Sequence, residues 1–535
     1  MTHPLDVIVI GSGFGGAVNA CRAAQAGARV LVLERGRRWT RKTYPRAVTD
    51  PWLFDSEAPQ KKNGWLDLRF FKGMTVAQAA GVGGGSLCYS SVVMEATQKD
   101  IEAGGWPSEI TLSELRPYYQ RAREMLSVQT LPASQLTPRF KLLKEGAEKT
   151  GRTDKFSSAP LAVSFNPEWN YGLENAVDLK HSKPFENRQG RKQGTCVHLG
   201  NCDIGCEAQA KNTLDLNYLA EAENHGAEIR PLHLVRSIVP ENGGYRVHFE
   251  RLESSNPGNG SEWASRVIIA AGSLGSTEIL LRCRDEFGTL PKVGNALGAN
   301  WSSNANVLTP ATYSDAARVQ QSIGPTISSV LDLSAEQADG RSLVVEDDGF
   351  PNLLLNAMNQ RMGSSWLSPL GWSLRRHLSR GVGEKNPLGK VMIWLGAGCD
   401  ASDGKLTLGR NWLAPWSKKL NLNWNVAKSE STIEAILKVH GELTSATGGE
   451  LHIPLSWTWF RSLITVHPLG GCQMAQTAQN GVVDHKCEVF GYPGLFVCDG
   501  SVIPKAIGRN PSLTIAALAE RAAQILWKDS PQKSV

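Results

Sequence analysis

Apolar positions in this chain follow two rhythms, and the change from one to the other organises the rest. Residues 6–10, Asp-Val-Ile-Val-Ile, read as a short buried strand, apolar without a break from Val7 to Ile10. It leads into Gly11-Ser12-Gly13-Phe14-Gly15-Gly16 and then into small residues from Ala17 to Ala26, a helical stretch stopped by Gly27. Residues 28–33 are a second apolar run, and they end at Glu34. The pattern predicts a βαβ unit with a glycine-rich turn.

Similar signals recur further along. Residues 217–250 predict a helix followed by strands near 228–240 and 245–249, and Arg266 to Ala271 predicts a strand ending in Gly272 and a new helix start. Residues 37–75 are rich in Arg, Lys, Pro and Trp without clean periodicity and are expected to be loops and short elements. Residues 136–190 read as polar and irregular.

From 301 to 460 the composition shifts toward Trp, Asn and Ser. Period-two alternation at 342–345, 353–357, 391–395 and 420–424 predicts a mostly antiparallel sheet with one face toward a pocket. Trp366, Leu367, Leu370, Trp372, Leu374 and Leu378 interleave with Arg375, Arg376 and Arg380. Two readings fit this pattern: a buried core helix, or an amphipathic surface at a pocket mouth that meets lipid.

The expected fold is therefore α/β, a Rossmann-type dinucleotide domain plus an α+β substrate domain on a mostly antiparallel sheet with helices. Residues 1–40, 75–100, 190–300 and 461–535 are assigned to the first, and 41–74, 101–189 and 301–460 to the second. A chain of 535 residues is too long for one core, which agrees with two units. The net charge of +6 is small for this length and makes no case for nucleic acid. The first strand begins at Asp6, leaving no room for a signal peptide, and no apolar run approaches the ~20 residues of a membrane span. The expectation is a cytoplasmic protein, and the ten scattered cysteines read as reduced thiols.

The glycine turn carries specific chemistry. Gly11 permits the tight turn, Gly13 lets backbone N–H groups approach a pyrophosphate, and Gly16 allows close helix packing. Ser12, Phe14 and Gly15 complete the cradle at the positive end of the helix. Glu34 is placed to accept hydrogen bonds from a ribose 2′-OH. The motif alone does not separate FAD from NAD. A second cluster, Gly81-Val82-Gly83-Gly84-Gly85-Ser86, fits either a structural turn or close backbone approach to a flat or anionic ligand. Cys196, Cys202 and Cys206 are close enough in sequence to ligate iron or zinc, with His198 available as a fourth ligand; three reduced, partly buried thiols are the plainer reading.

These motifs, with Gly105-Trp106-Pro107 and residues 115–119, resemble the glucose–methanol–choline family of flavin oxidoreductases, in particular its cholesterol-oxidase-like branch. Tyr89 stands where that branch carries Asn, and Leu199 where many of its members carry a fourth cysteine. The three-cysteine spacing is similar to the iron–sulfur motif of flavin sugar dehydrogenases. The C-terminal signature runs through Val466-His467-Pro468-Leu469-Gly470-Gly471-Cys472, then residues 494–501, then Gly508-Arg509-Asn510-Pro511 and a helix over 512–523.

The resemblance implies non-covalent FAD, with Gly83, Gly84, Gly85 and Ser86 along the flavin and Val235 backbone groups at the adenine. Ala271, Gly272, Asp499, Gly500 and Asn510 are implied as further contacts. It implies His467 as the catalytic imidazole, Asn510 as its polar partner, and Glu346 as an acid that moves a steroid proton. A solvated acidic turn is the competing reading of Glu346-Asp347-Asp348. The implied reaction is oxidation of an alcohol by hydride transfer to flavin N5, the substrate being a sterol or other hydrophobic alcohol and the acceptor oxygen or another oxidant. The alternatives are a dehydrogenase for a polar or primary alcohol such as a sugar, feeding a quinone, cytochrome or iron–sulfur acceptor, and a non-redox flavoprotein.

Overall fold

A computed structural model describes residues 5–47, 49–253, 257–337, 340–352, 387–410 and 418–528. The alternation at 353–357 and the Trp/Arg pattern at 366–380 lie outside these residues.

The first apolar run is the strand Leu5–Ile10, the centre of a seven-stranded sheet. Val30–Leu33 pairs with it in parallel on one side and Gly258–Ile269 on the other. Both faces of this centre are covered, so Val7, Ile8 and Val9 are buried, and the continuous apolar run follows from that. Leu495–Val497 adds in parallel beyond Gly258–Ile269, while His233–Glu241 and Gly244–Arg251 extend it as an antiparallel ribbon. The helix Phe14–Gln25 packs on the helices Tyr218–Asn224 and Ser512–Trp527. Its Arg22 pairs with Glu520 at 2.7 Å, and Tyr218 donates to the same carboxylate.

The second sheet has six strands, all paired antiparallel, with Val307–Thr312, Val391–Gly398 and Leu343–Asp348 in the middle. One face packs on the helices Pro138–Lys149 and Glu430–Ala446. Gly396 makes the contact possible: a Cβ there would lie 2.2 Å from Ile436. The other face carries Leu308, Pro310, Ile393 and Leu395 into a cavity.

One expectation is made specific and another corrected. The short elements within 37–75 include the strand Leu66–Phe71, which forms a hairpin with Met74–Ala79 that Leu463–Thr465 extends. Its alternation was masked because the buried side carries Asp67, paired with Arg35 at 2.7 Å and Arg69 at 2.8 Å. Within 136–190 lies the twelve-residue helix Pro138–Lys149. Thr137 caps it by accepting from Phe140 N–H, and Pro138 occupies the first turn.

Candidate active site

The two sheets enclose a cavity of about 850 Å³, within the range of ligand pockets. Its dinucleotide end is built from the glycine turn. A Cβ on Gly15 would lie 1.6 Å from the Cys498 carbonyl oxygen and one on Gly16 2.0 Å from that of Gly11, so these two glycines seat the helix against the sheet. Gly13 differs: a Cβ there meets only Gly84 Cα, at 3.9 Å, and the residue faces the cavity. The second glycine cluster lies directly against the first. Gly84 takes φ +51° with its would-be Cβ 2.5 Å from Gly13, and Gly85 faces open space.

Ser12 and Glu34 lock the turn. Glu34 Oε2 accepts from Ser12 N–H at 3.1 Å and Ser12 O–H at 2.7 Å, and Oε1 accepts from Gly36 N–H at 2.8 Å. Each oxygen of a carboxylate has two lone pairs, so capacity remains for a ribose hydroxyl. Gly83 N–H donates to Ser12 Oγ at 3.1 Å. Ser86 is buried behind the turn, donating to Gly83 O and accepting from Leu214 N–H.

Phe14, Val235, Ala271, Gly272, Asp499 and Gly500 line the same cavity, whereas Gly16, Gly83 and Ser86 support it from behind. Asp499 is tied on both oxygens, to Gly272 N–H and Ser276 Oγ on one side and Ser501 on the other. Burial raises its carboxyl above the usual range.

His467 and Asn510 both line this cavity. Burial lowers the imidazole to about 4, so His467 is neutral at ordinary pH. Its Nδ1 lies 3.0 Å from Asn306 Nδ2, and among the described residues Nε2 has no partner. Asn510, at the start of the helix Ser512–Trp527, donates through Nδ2 to Glu346 Oε2 at 3.4 Å. Asn510 Oδ1 and Glu346 Oε1 are buried without a partner.

The solvated-turn reading of the three acids does not hold. Glu346 is 1% exposed and Asp347 0%, and all three lie within the strand Leu343–Asp348. Burial pushes the Glu346 carboxyl up to about 8, with Asn510 opposing the rise. Asp347 points to the opposite face and accepts from Ser328 and Ser329 N–H.

The three cysteines have free thiols, and among the described residues no group of three or more His, Cys, Asp or Glu side chains is arranged to hold a metal. His198 is committed elsewhere. Its ring stacks on Trp169 at 4.1 Å, with Nδ1 at Tyr171 Oη, 2.8 Å, and Nε2 at Gln135 Oε1, 3.2 Å. Sequence reasoning missed Asn306, which belongs to no motif and reaches the site only through the fold.

The residues present fit a bound FAD: two glycines open to the cavity, an acid with spare lone pairs, and an orphan amide oxygen at the far end. Residues 6–43 match the model of an FAD binding domain, and residues 454–519 match that of the GMC oxidoreductases. A cholesterol oxidase of Acinetobacter baumannii is 30% identical, over 97% of this chain and 94% of its own length. A long-chain-alcohol oxidase of Arabidopsis thaliana is 24% identical, over 96% of this chain and 66% of its own. Among solved structures, pyridoxine 4-oxidase from Mesorbium loti superposes with a TM-score of 0.61 at 16% identity, covering 97% of this chain and 99% of that one; this likeness speaks for the fold alone.

The chain belongs to the GMC oxidoreductase family. It is an FAD-dependent oxidoreductase acting on alcohols. Among the described residues, no helix is long and apolar enough to cross a membrane.

Proposed function

We propose that this enzyme oxidises a bulky hydrophobic secondary alcohol of the sterol class to its ketone. The observation that carries the reading is the cavity wall: Leu308, Pro310, Val391, Ile393 and Leu395 present an apolar surface and share the cavity with Asn510, whose amide contacts the buried Glu346 behind it. A sugar would leave most of its hydroxyls unpaired against such a wall. The cholesterol oxidase relatives favour the same class.

FAD, when bound, supplies the acceptor for the hydride of the carbinol carbon. His467 and Asn510 hold the hydroxyl: Nε2 of the imidazole faces its oxygen, and the orphan Oδ1 of Asn510 accepts its hydrogen. Glu346 takes up or returns the proton beside them, and its raised pKa suits proton exchange near neutral pH. Neutral, it is also the acid that an enone-forming isomerisation needs. The apolar wall excludes water from these groups.

The domain division follows: residues 1–40, 75–100, 190–300 and 461–535 serve the cofactor, and 41–74, 101–189 and 301–460 the substrate. Peripheral contact with lipid belongs to this reading. Phe70 and Ile464, both cross-strand neighbours of Thr75, stand exposed on one sheet face, and Trp459 is 72% exposed nearby in sequence. Val466 and Ile464 reach both cavity and solvent. Such a rim lets a lipophilic alcohol pass without crossing water.

Product analysis tests the assignment. FAD-loaded enzyme is incubated with a 3β-hydroxysterol and, separately, with a straight-chain primary alcohol. Ketone from the sterol at the higher kcat/KM supports the reading; preference for the primary alcohol refutes it.

A further inference from the structure

We infer that Asn306 fixes the tautomer of His467, so that this imidazole meets the alcohol as a hydrogen-bond donor through Nε2–H. The inference deepens the proposed function and rests on its placement of His467 at the alcohol oxygen.

The argument is an accounting of protons around one buried amide. Asn306 is 0% exposed and opens the strand Val307–Thr312 on the cavity side. Three groups face its side chain: His467 Nδ1 at 3.0 Å from Nδ2, Thr465 Oγ1 at 2.9 Å from Oδ1, and Val466 N–H at 3.3 Å from Oδ1. An Asn amide can be turned over without changing its shape, so its orientation must come from its partners.

Thr465 does not decide the matter. Its hydroxyl has one hydrogen and two acceptors within reach, Asn306 Oδ1 and Ser303 O at 2.8 Å, and it satisfies either orientation of the amide. Val466 does decide it, because a backbone N–H can only donate. Turning the amide over would set this N–H against the NH2 group and leave a buried donor unpaired, which is costly. Oδ1 therefore faces Val466, and Nδ2 donates to His467 Nδ1. A neutral imidazole that accepts at Nδ1 carries its proton on Nε2.

The backbone of the same segment holds the ring in place. His467 N–H donates to Thr465 Oγ1 at 3.0 Å, so residues 465–467 and Asn306 form one closed set of hydrogen bonds. Two consequences follow for the site. His467 polarises the alcohol oxygen and is not the group that removes its proton, and that task passes to Glu346. Asn306 is a positioning residue, acting through His467.

The tautomer can be read directly by long-range nitrogen–proton NMR on 15N-histidine-labelled protein, with His467→Gln identifying the resonances. The expected pattern at neutral pH is a bare, accepting Nδ1 and a protonated Nε2. In Asn306→Asp the carboxylate accepts from Nδ1–H and the pattern reverses; in Asn306→Leu, which offers neither group, a mixture is expected. Alongside the reversal, the rate of flavin reduction by an alcohol should fall about tenfold or more, with little change in substrate affinity. A wild-type proton on Nδ1, or a pattern unchanged in Asn306→Asp and Asn306→Leu, overturns the inference. Failure of the underlying functional reading looks different: His467→Ala, which offers no donor, would reduce its flavin as fast as wild type while the NMR pattern of the wild-type ring stood.

Discussion

Asn510 and Glu346, 164 residues apart in sequence, meet through a 3.4 Å contact between Nδ2 and Oε2, and Asn510 Oδ1 and Glu346 Oε1 are both buried without a partner. Two buried polar atoms without partners are costly in a folded protein. A substrate hydroxyl or a proton relieves them, which is why this end of the cavity is read as the reacting end.

Glu346 gives a pH signature with a definite sign. Its carboxyl moves from about 4.5 up to about 8 on folding, so between those values the folded chain holds a proton that the unfolded chain has released. Stability therefore falls as pH rises through that window. In Glu346→Gln this contribution is absent, so the variant gains on wild type between pH 5 and pH 8 in paired thermal melts. A constant difference across that range would contradict the assignment. The rate of flavin reduction in wild type should rise toward pH 8 as the carboxylate forms, and the Gln variant should lose that rise.

His467→Ala should keep FAD and fold while losing roughly 10²- to 10³-fold in the rate of flavin reduction, the range for loss of one positioned hydrogen-bond donor to the reacting oxygen. Single-turnover absorbance at the flavin band measures it. A variant that reduces its flavin at the wild-type rate would support a non-redox role for the bound cofactor.

The glycines separate folding from cofactor binding. Gly15→Ala puts a Cβ 1.6 Å from the Cys498 carbonyl oxygen, a clash with backbone that unfolds or displaces the helix Phe14–Gln25. Gly13 has φ −72° and an open Cβ direction, so Gly13→Ala should melt like wild type without cofactor and yet bind FAD more weakly. Thermal melts of the apoprotein and FAD titration distinguish the two outcomes.

Polar replacement at the rim tests the lipid contact. Phe70→Ser with Trp459→Ser should leave turnover of a detergent-dispersed alcohol unchanged and reduce co-sedimentation with sterol-containing phosphatidylcholine vesicles. Equal sedimentation of both proteins would remove the rim from the account.

The cofactor site was legible in sequence because its chemistry is local. The spacing of glycines at 11, 13, 15 and 16, with an acid at the end of the next strand, announces the unit within forty residues, even though Gly15 owes its place to the distant backbone of Cys498. The hairpin 66–79 was not legible, since a buried Asp67 between two arginines breaks the alternation that would announce it. Asn306 was hidden for another reason. Its whole role lies in a contact with His467 across 161 residues, and no spacing along the chain encodes it. Glu346 stood between: the resemblance named it, and only burial within a strand decided against a solvated turn.

The most direct test of the central claim is the absorption spectrum of FAD-loaded protein under anaerobic conditions, before and after addition of a 3β-hydroxysterol. The account predicts bleaching of the oxidised flavin bands by the sterol in wild type and not in His467→Ala. A flavin that stays oxidised with the sterol and bleaches with a sugar or a small primary alcohol would contradict it.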